Sequence, residues 1–250
     1  MKVLHKHLGL ILVLFFSFSV MAQKQKPPPG TGRLKPSETG VKHATFIDHT
    51  EVTAQYWLDF LFWTKLTYGE ESPEYKAIMP DSLICVQVAI QIDSSHYFPY
   101  YRLPIYRHLP IVGITYEQAI AYCAWRSDRV NESLELLRVK NKRNKKKYGY
   151  TVTYSLPTEA DFAEAYKQQK IKTNQKELTN AVEYRCRYYK INGKICRPKK
   201  SGIKYIADNA QEFTAEKTVL RGENAEKLMF EPYQGANAMT GFRCVAEITK

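Results

Sequence analysis

Pro110-Ile111-Val112-Gly113-Ile114-Thr115-Tyr116-Glu117-Gln118-Ala119-Ile120-Ala121-Tyr122-Cys123-Ala124-Trp125 is the stretch on which the reading of this chain turns. It divides at Thr115. Residues 110–114 read as a short extended run. Thr115 offers a hydroxyl that can cap a helix start. Behind it Ala119, Tyr122, Cys123 and Arg126 recur at three- and four-residue steps, one face of a helix.

Upstream, Phe46-Ile47-Asp48 reads as a short strand and Thr53 as a second N-cap. Trp57, Phe60, Leu61 and Trp63 follow at helical spacing, an aromatic stripe that is most simply core. Ser82–Ile92 (SLICVQVAIQI) alternates and is rich in β-branched residues, so a strand is expected there. Residues 23–40 are polar and hold Pro27-Pro28-Pro29-Gly30, Gly32 and Pro36, the composition of a disordered linker, with the ordered domain running over 41–250.

Downstream, the helical pattern continues from Asn131 through Leu134 and Leu137 into Arg138-Val139-Lys140-Asn141-Lys142-Arg143-Asn144-Lys145-Lys146-Lys147, the most basic segment of the chain. Such a run is either a solvated helix end or a docking site for an acidic partner. Pro157-Thr158-Glu159 opens a third helix, with proline near its start and an acid in its first turn. Asn192-Gly193 between extended residues marks a hairpin over 187–195. No internal repeat is visible.

Two hundred and fifty residues with 44% hydrophobic and 25% charged content can bury a core, which excludes a disordered chain. The net charge is +12. Lys2, His5, Lys6 and His7 precede an apolar run over residues 8–20, and Val20-Met21-Ala22 supplies small residues for cleavage before Gln23, so 1–22 reads as a signal peptide. Thirteen apolar residues are too few to span a bilayer core of about 30 Å, which argues against a membrane anchor. The leader takes two lysines and no acid with it, leaving +10. No cysteine follows the apolar run, so no lipid attachment is expected. The expected location is the periplasm or the outer-membrane surface.

Export disfavours nucleic acid as the partner for this charge and permits disulfides. The five cysteines are Cys85, Cys123, Cys186, Cys196 and Cys244, an odd number without CxxC spacing. His43, His49, His96 and His108 are scattered, and HExxH, GxSxG, P-loop and GxGxxG patterns are all missing. The standard catalytic signatures are absent.

Five phrases in order resemble the formylglycine-generating enzyme / sulfatase-modifying factor family. They are Glu51-Val52-Thr53 with the aromatics after it, the sixteen residues of 110–125, Tyr154-Ser155-Leu156-Pro157-Thr158-Glu159-Ala160-Asp161-Phe162, Asn209-Ala210-Gln211-Glu212-Phe213, and Gly241-Phe242-Arg243-Cys244-Val245. The resemblance implies an α+β, C-type-lectin-like fold, with short helices against twisted antiparallel strands and long loops at 93–108 and 167–203. Family enzymes oxidise a substrate cysteine with two cysteines late in the domain. Here the corresponding residues 221–241 contain none, so formylglycine generation is not expected.

The resemblance also implies a calcium site at Glu212 with the carbonyls of Asp208 and Ala210, although its upstream Asn falls on Tyr205. It further implies a Cys123–Cys244 disulfide, since the family's exported members often join these positions. Within the family, the chain looks most like the non-catalytic branch of gliding and type IX-secreting bacteria. The function implied is an exported scaffold or binding module of the cell envelope. Its competitors are an enzyme of divergent chemistry and a lectin-like glycan binder. A protein partner with an acidic surface would meet Arg138, Lys142, Arg143, Lys145, Lys146 and Lys147, together with Tyr100, Tyr101 and Arg102 of a tyrosine-rich loop.

Overall fold

The computed structural model describes residues 28–34, 45–168, 203, 206, 210–224 and 227–249. Its first sheet has the order β1 (Thr31–Arg33), β2 (Thr45–Asp48), β8 (Val245–Thr249), β3 (Thr151–Ser155), antiparallel throughout. The last strand is therefore interior, with Val245 opposite both Ile47 and Ser155. The second sheet has the order β6 (Lys227–Pro232), β5 (Thr218–Asn224), β4 (Gln211–Phe213), β7 (Thr240–Gly241), with β4 and β7 parallel. The architecture is α+β.

Part of the segment expected to be a disordered linker belongs to the first sheet. Thr31 pairs with Asp48 and Gly32 with Ile47, and Leu34 is fully buried. A ladder needs only backbone groups, so polar composition concealed it.

Helix α1 (Ala54–Tyr68) starts where Thr53 accepts from the Tyr56 N–H, and it buries Trp57, Phe60 and Leu61 as expected. After α2 (Pro73–Ala77), residues Ser82–Ile92 form helix α3, not a strand. The Asp81 carboxylate accepts from the Ile84 N–H and so caps it. Cys85, Val88, Ala89 and Ile92 are the buried positions, at steps of three, one and three. That pattern fits a 3.6-residue period, and burial along it overrides the β-propensity of the side chains.

Residues 110–114 are extended and held from several sides. The Ile111 N–H donates to the Val52 carbonyl at 2.9 Å, and the Gly113 carbonyl accepts from the Asp81 N–H at 2.8 Å. The buried Tyr100 hydroxyl donates to the Pro110 carbonyl at 2.6 Å and accepts from the Val112 N–H at 2.8 Å. Gly113 has φ +73°, and a Cβ there would lie 3.0 Å from the Cys85 sulfur. Only glycine meets both conditions without strain.

Helix α4 (Tyr116–Arg138) opens with a complete capping box between Thr115 and Gln118. The Gln118 amide also donates to the Ala77 and Met79 carbonyls, each at 2.9 Å, tying the helix start to the α2 region. Tyr122 stacks on Trp57 with ring centres 5.7 Å apart, and Phe242 meets both rings edge-on. This aromatic group anchors the larger core cluster.

α4 also covers the β3 edge of the first sheet. The Asn131 side chain accepts from the Val152 N–H at 2.9 Å and donates to the Val152 carbonyl at 2.8 Å. Ser127 accepts from the Tyr154 N–H at 2.8 Å. These side chains occupy backbone groups that another strand could otherwise pair with. After α5 (Lys142–Lys147) and β3, Thr158 accepts from the Asp161 N–H at 3.1 Å and starts α6 (Glu159–Gln168). Among the described residues no helix is long and apolar enough to cross a membrane. The hairpin expected over 187–195, with Cys186 and Cys196, lies outside the described residues.

Candidate functional site

The residues singled out in the sequence fall into three places. At the first, α4 carries Cys123 to the start of β8, where its sulfur lies 3.5 Å from that of Cys244. Both are buried thiols. Beside them the Arg126 guanidinium donates a fork to Asp48, at 2.6 and 2.9 Å, and lies over the Tyr154 ring at 4.1 Å. Asp48 also accepts from the Cys244 N–H at 3.0 Å. The neighbouring Cys244 sulfur and burial together push the Cys123 thiol well up. Burial pushes Cys85 up to about 12. A thiol so placed is a poor nucleophile and a poor metal ligand.

A groove of about 520 Å³ opens over Cys123 between α4 and β3, lined by Tyr116, Ile120, Ala124, Tyr154 and Leu156. Its surface is mostly apolar. Cys123, Ser127, Asp128, Thr153 and Ser155 also line it, and the Ser127 hydroxyl is taken up by donating to the Cys123 carbonyl and accepting from the Tyr154 N–H.

The second place is a buried charge cluster. Arg243 and Glu212 are both fully buried. Arg243 donates from Nε and Nη2 to the two Glu212 oxygens, each at 2.7 Å, and from Nη1 to the Asp48 carbonyl at 3.2 Å. Glu51 stands 3.9 Å from Nη2 and accepts from the Ala210 N–H at 3.4 Å. Burial raises the Glu212 carboxyl to about 8, against the pull of Arg243, with Glu51 and Asp48 adding to the rise.

The carboxylate expected to hold calcium is thus engaged by Arg243 at both oxygens. A cation there would have to displace a buried guanidinium and then meet it as a like charge. The residues do not fit calcium. Ala210 is buried with its N–H turned to Glu51, and Asp208 lies outside the described residues.

Arg243 was visible in the sequence only as part of a phrase. Its position between Phe242 and Cys244-Val245-Ala246 is the signal, because an arginine in an apolar run has to find a buried acid.

The third place is the expected partner surface, and it is rearranged. Tyr100 and Tyr101 are buried at 0% and 1% exposure, so they belong to the core. Tyr100 is spent on the 110–112 backbone, and only Arg102 of that trio is exposed. The loop presents Tyr97 and Phe98 instead, at 72% and 68% exposure. Arg138 is withdrawn as well. Its Nε donates to the Tyr148 carbonyl at 2.7 Å, its Nη2 donates to the Tyr150 carbonyl, and its Nη1 pairs with Glu135. Lys142, Arg143, Lys145, Lys146 and Lys147 remain exposed on α5, with the Lys147 ammonium over the Tyr148 ring at 4.8 Å.

A family model for the sulfatase-modifying factor enzyme 1-like domain matches residues 17–215. The chain belongs to that family. No curated protein matches it. Of the phrases that carried the resemblance, the first four lie inside the matched span, and the Gly241–Val245 phrase lies beyond it. In this sulfatase-modifying factor domain the fourth and fifth phrases meet physically, since one supplies Glu212 and the other Arg243. Residues 221–241, beyond the matched span, hold no cysteine.

Proposed function

We propose that this sulfatase-modifying factor domain is an exported, non-catalytic binding module of the cell envelope, on a C-type-lectin-like frame. The observation that carries the reading is the cysteine-free stretch at 221–241. The described thiols support it, because Cys85, Cys123 and Cys244 are all buried. Oxidation of a substrate cysteine needs an accessible thiolate or thiolate-held metal. The test is incubation of the pure protein with a CxPxR peptide and copper. No aldehyde is expected, and its detection would overturn the reading.

Within that class we place the chain in a gliding-motility or type IX secretion assembly. The support is the aromatic first helix, the 110–125 phrase and the long basic segment before Leu156-Pro157-Thr158. Contact with a protein neighbour falls to the exposed loop at Tyr97, Phe98 and Arg102, a pairing of aromatic and arginine side chains common at interface hot spots. Cross-linking and pull-down from envelope extract should recover a neighbour with the native protein and lose it with Tyr97→Ser/Phe98→Ser.

A further inference from the structure

The far end of α4 turns into α5 through residues 139–141, and this tip combines two kinds of exposed side chain. Lys140, Lys142, Arg143, Lys145, Lys146 and Lys147 place six cations in eight residues, and no acid occurs from 136 to 150. At its edge stand Leu136 and Val139, 64% and 72% exposed and one helical turn apart, with Glu132 and Glu135 one turn before them paired to Arg129 and Arg138. Arg138, set between Leu136 and Val139, is the one local cation turned inward. Its bonds to the Tyr148 and Tyr150 carbonyls fasten the returning chain to the helix. The tip is therefore built before anything binds it. It also stands at the end of a 23-residue helix, a rod of roughly 34 Å.

Exposed leucine and valine within a solvated basic face lose free energy in water and gain nothing from a purely ionic partner. A surface that is both negatively charged and apolar a few ångströms down satisfies both groups. That is the chemistry of an anionic phospholipid bilayer, on which lysines meet headgroups while short apolar side chains enter the acyl boundary. A partner offering carboxylates alone would use the lysines and leave Leu136 and Val139 in water.

We propose that the α4–α5 tip seats this domain on an anionic phospholipid surface, with Leu136 and Val139 as the inserted wedge and the six cations around them. The tip shares no residue with the Tyr97–Phe98 loop, so each assignment is tested by its own variants.

Residues 23–250 contain every described position and lack the apolar leader, which would itself bind lipid. This chain should co-sediment with phosphatidylglycerol/phosphatidylcholine vesicles at about 0.1 M salt and not with phosphatidylcholine alone. Replacing Lys142, Arg143, Lys145, Lys146 and Lys147 by Ser should weaken binding roughly 100-fold or more. Leu136→Ser/Val139→Ser, which keeps every charge, should weaken it roughly tenfold. Equal binding by the five-fold variant would overturn the proposal. So would full binding by Leu136→Ser/Val139→Ser combined with complete competition by polyglutamate, which would mark a purely ionic, acidic-protein site. A second measurement does not depend on removing residues. Leu136→Trp should show a blue-shifted emission only with the anionic vesicles, and an unshifted spectrum would also overturn the assignment.

Discussion

Arg243 and Glu212 meet as a fully buried fork, with two hydrogen bonds of 2.7 Å joining the C-terminal phrase to strand β4. Desolvating two charges is costly, and only good geometry with further partners offsets it. Both conditions hold here, because the Asp48 carbonyl and Glu51 take further positions around the guanidinium. Removing one partner strands the other. Arg243→Met should cost about 3–5 kcal/mol in urea unfolding. Adding Glu212→Leu to it should recover part of that loss, because no buried carboxyl group is then left without a partner at 212. A double variant less stable than Arg243→Met alone would contradict the pairing.

The same carboxyl makes stability depend on pH. Glu212 has a folded value raised from 4.5 to about 8, so the folded protein holds a proton that the unfolded chain releases more easily. Its contribution is fully present below about 4.5 and is lost as pH rises through about 8. The urea midpoint should fall between pH 5 and pH 8.5, and Glu212→Gln should flatten that slope. An unchanged slope in the Gln variant would assign the dependence to another group.

The α1 and α4 helices could be read because their caps and apolar spacing point to one answer. Thr53 and Thr115 cap where their hydroxyls suggested, and Trp57, Phe60 and Tyr122 are buried. At α3 two periods fit one string, and tertiary burial chose between them. Leu34 and Thr31 are hidden in the sequence because proline and glycine around them dominate the composition. The tyrosines of the 97–106 loop divided by position, a choice no local pattern encodes. Tyr100 is consumed by backbone groups ten and twelve residues away. The Glu212–Arg243 pair spans 31 residues, so neither phrase reveals it alone.

Asn131 gives a prediction about the sheet edge. Its amide satisfies both backbone groups of Val152, as a neighbouring strand would. Asn131→Leu keeps the volume and removes both bonds. It should cost about 1–3 kcal/mol from the two backbone groups left without a partner. It should also raise the tendency to aggregate through the β3 edge, seen as light scattering during mild heating. Asn131→Asp keeps the acceptor for the Val152 N–H and should lie between the two. Wild-type behaviour of the Leu variant would show that water or a neighbour replaces the amide.

Cys123 and Cys244 are thiols 3.5 Å apart, and we propose that they form a disulfide once the protein is exported. Oxidation requires the sulfurs to close to about 2.05 Å. Cys244 adjoins interior strand β8 and Cys123 lies on the buried face of α4, so small side-chain rotations have to supply that movement. The bridge would close 121 residues and tie β8 to the middle of the chain. Chain entropy alone assigns such a loop about 4–5 kcal/mol, and strain from closing a packed core subtracts from it. The gain should therefore be smaller, read as a Tm higher in diamide-oxidised than in dithiothreitol-reduced protein. The Cys123→Ser/Cys244→Ser variant should lose the difference between the two conditions. Because both thiols are buried, oxidation of the folded protein should be slow and should accelerate in mild urea. Non-reducing peptide mapping of protein taken from the envelope decides the point. A linked pair of peptides holding Cys123 and Cys244 is expected, and recovery of both as alkylated free thiols would sink the assignment.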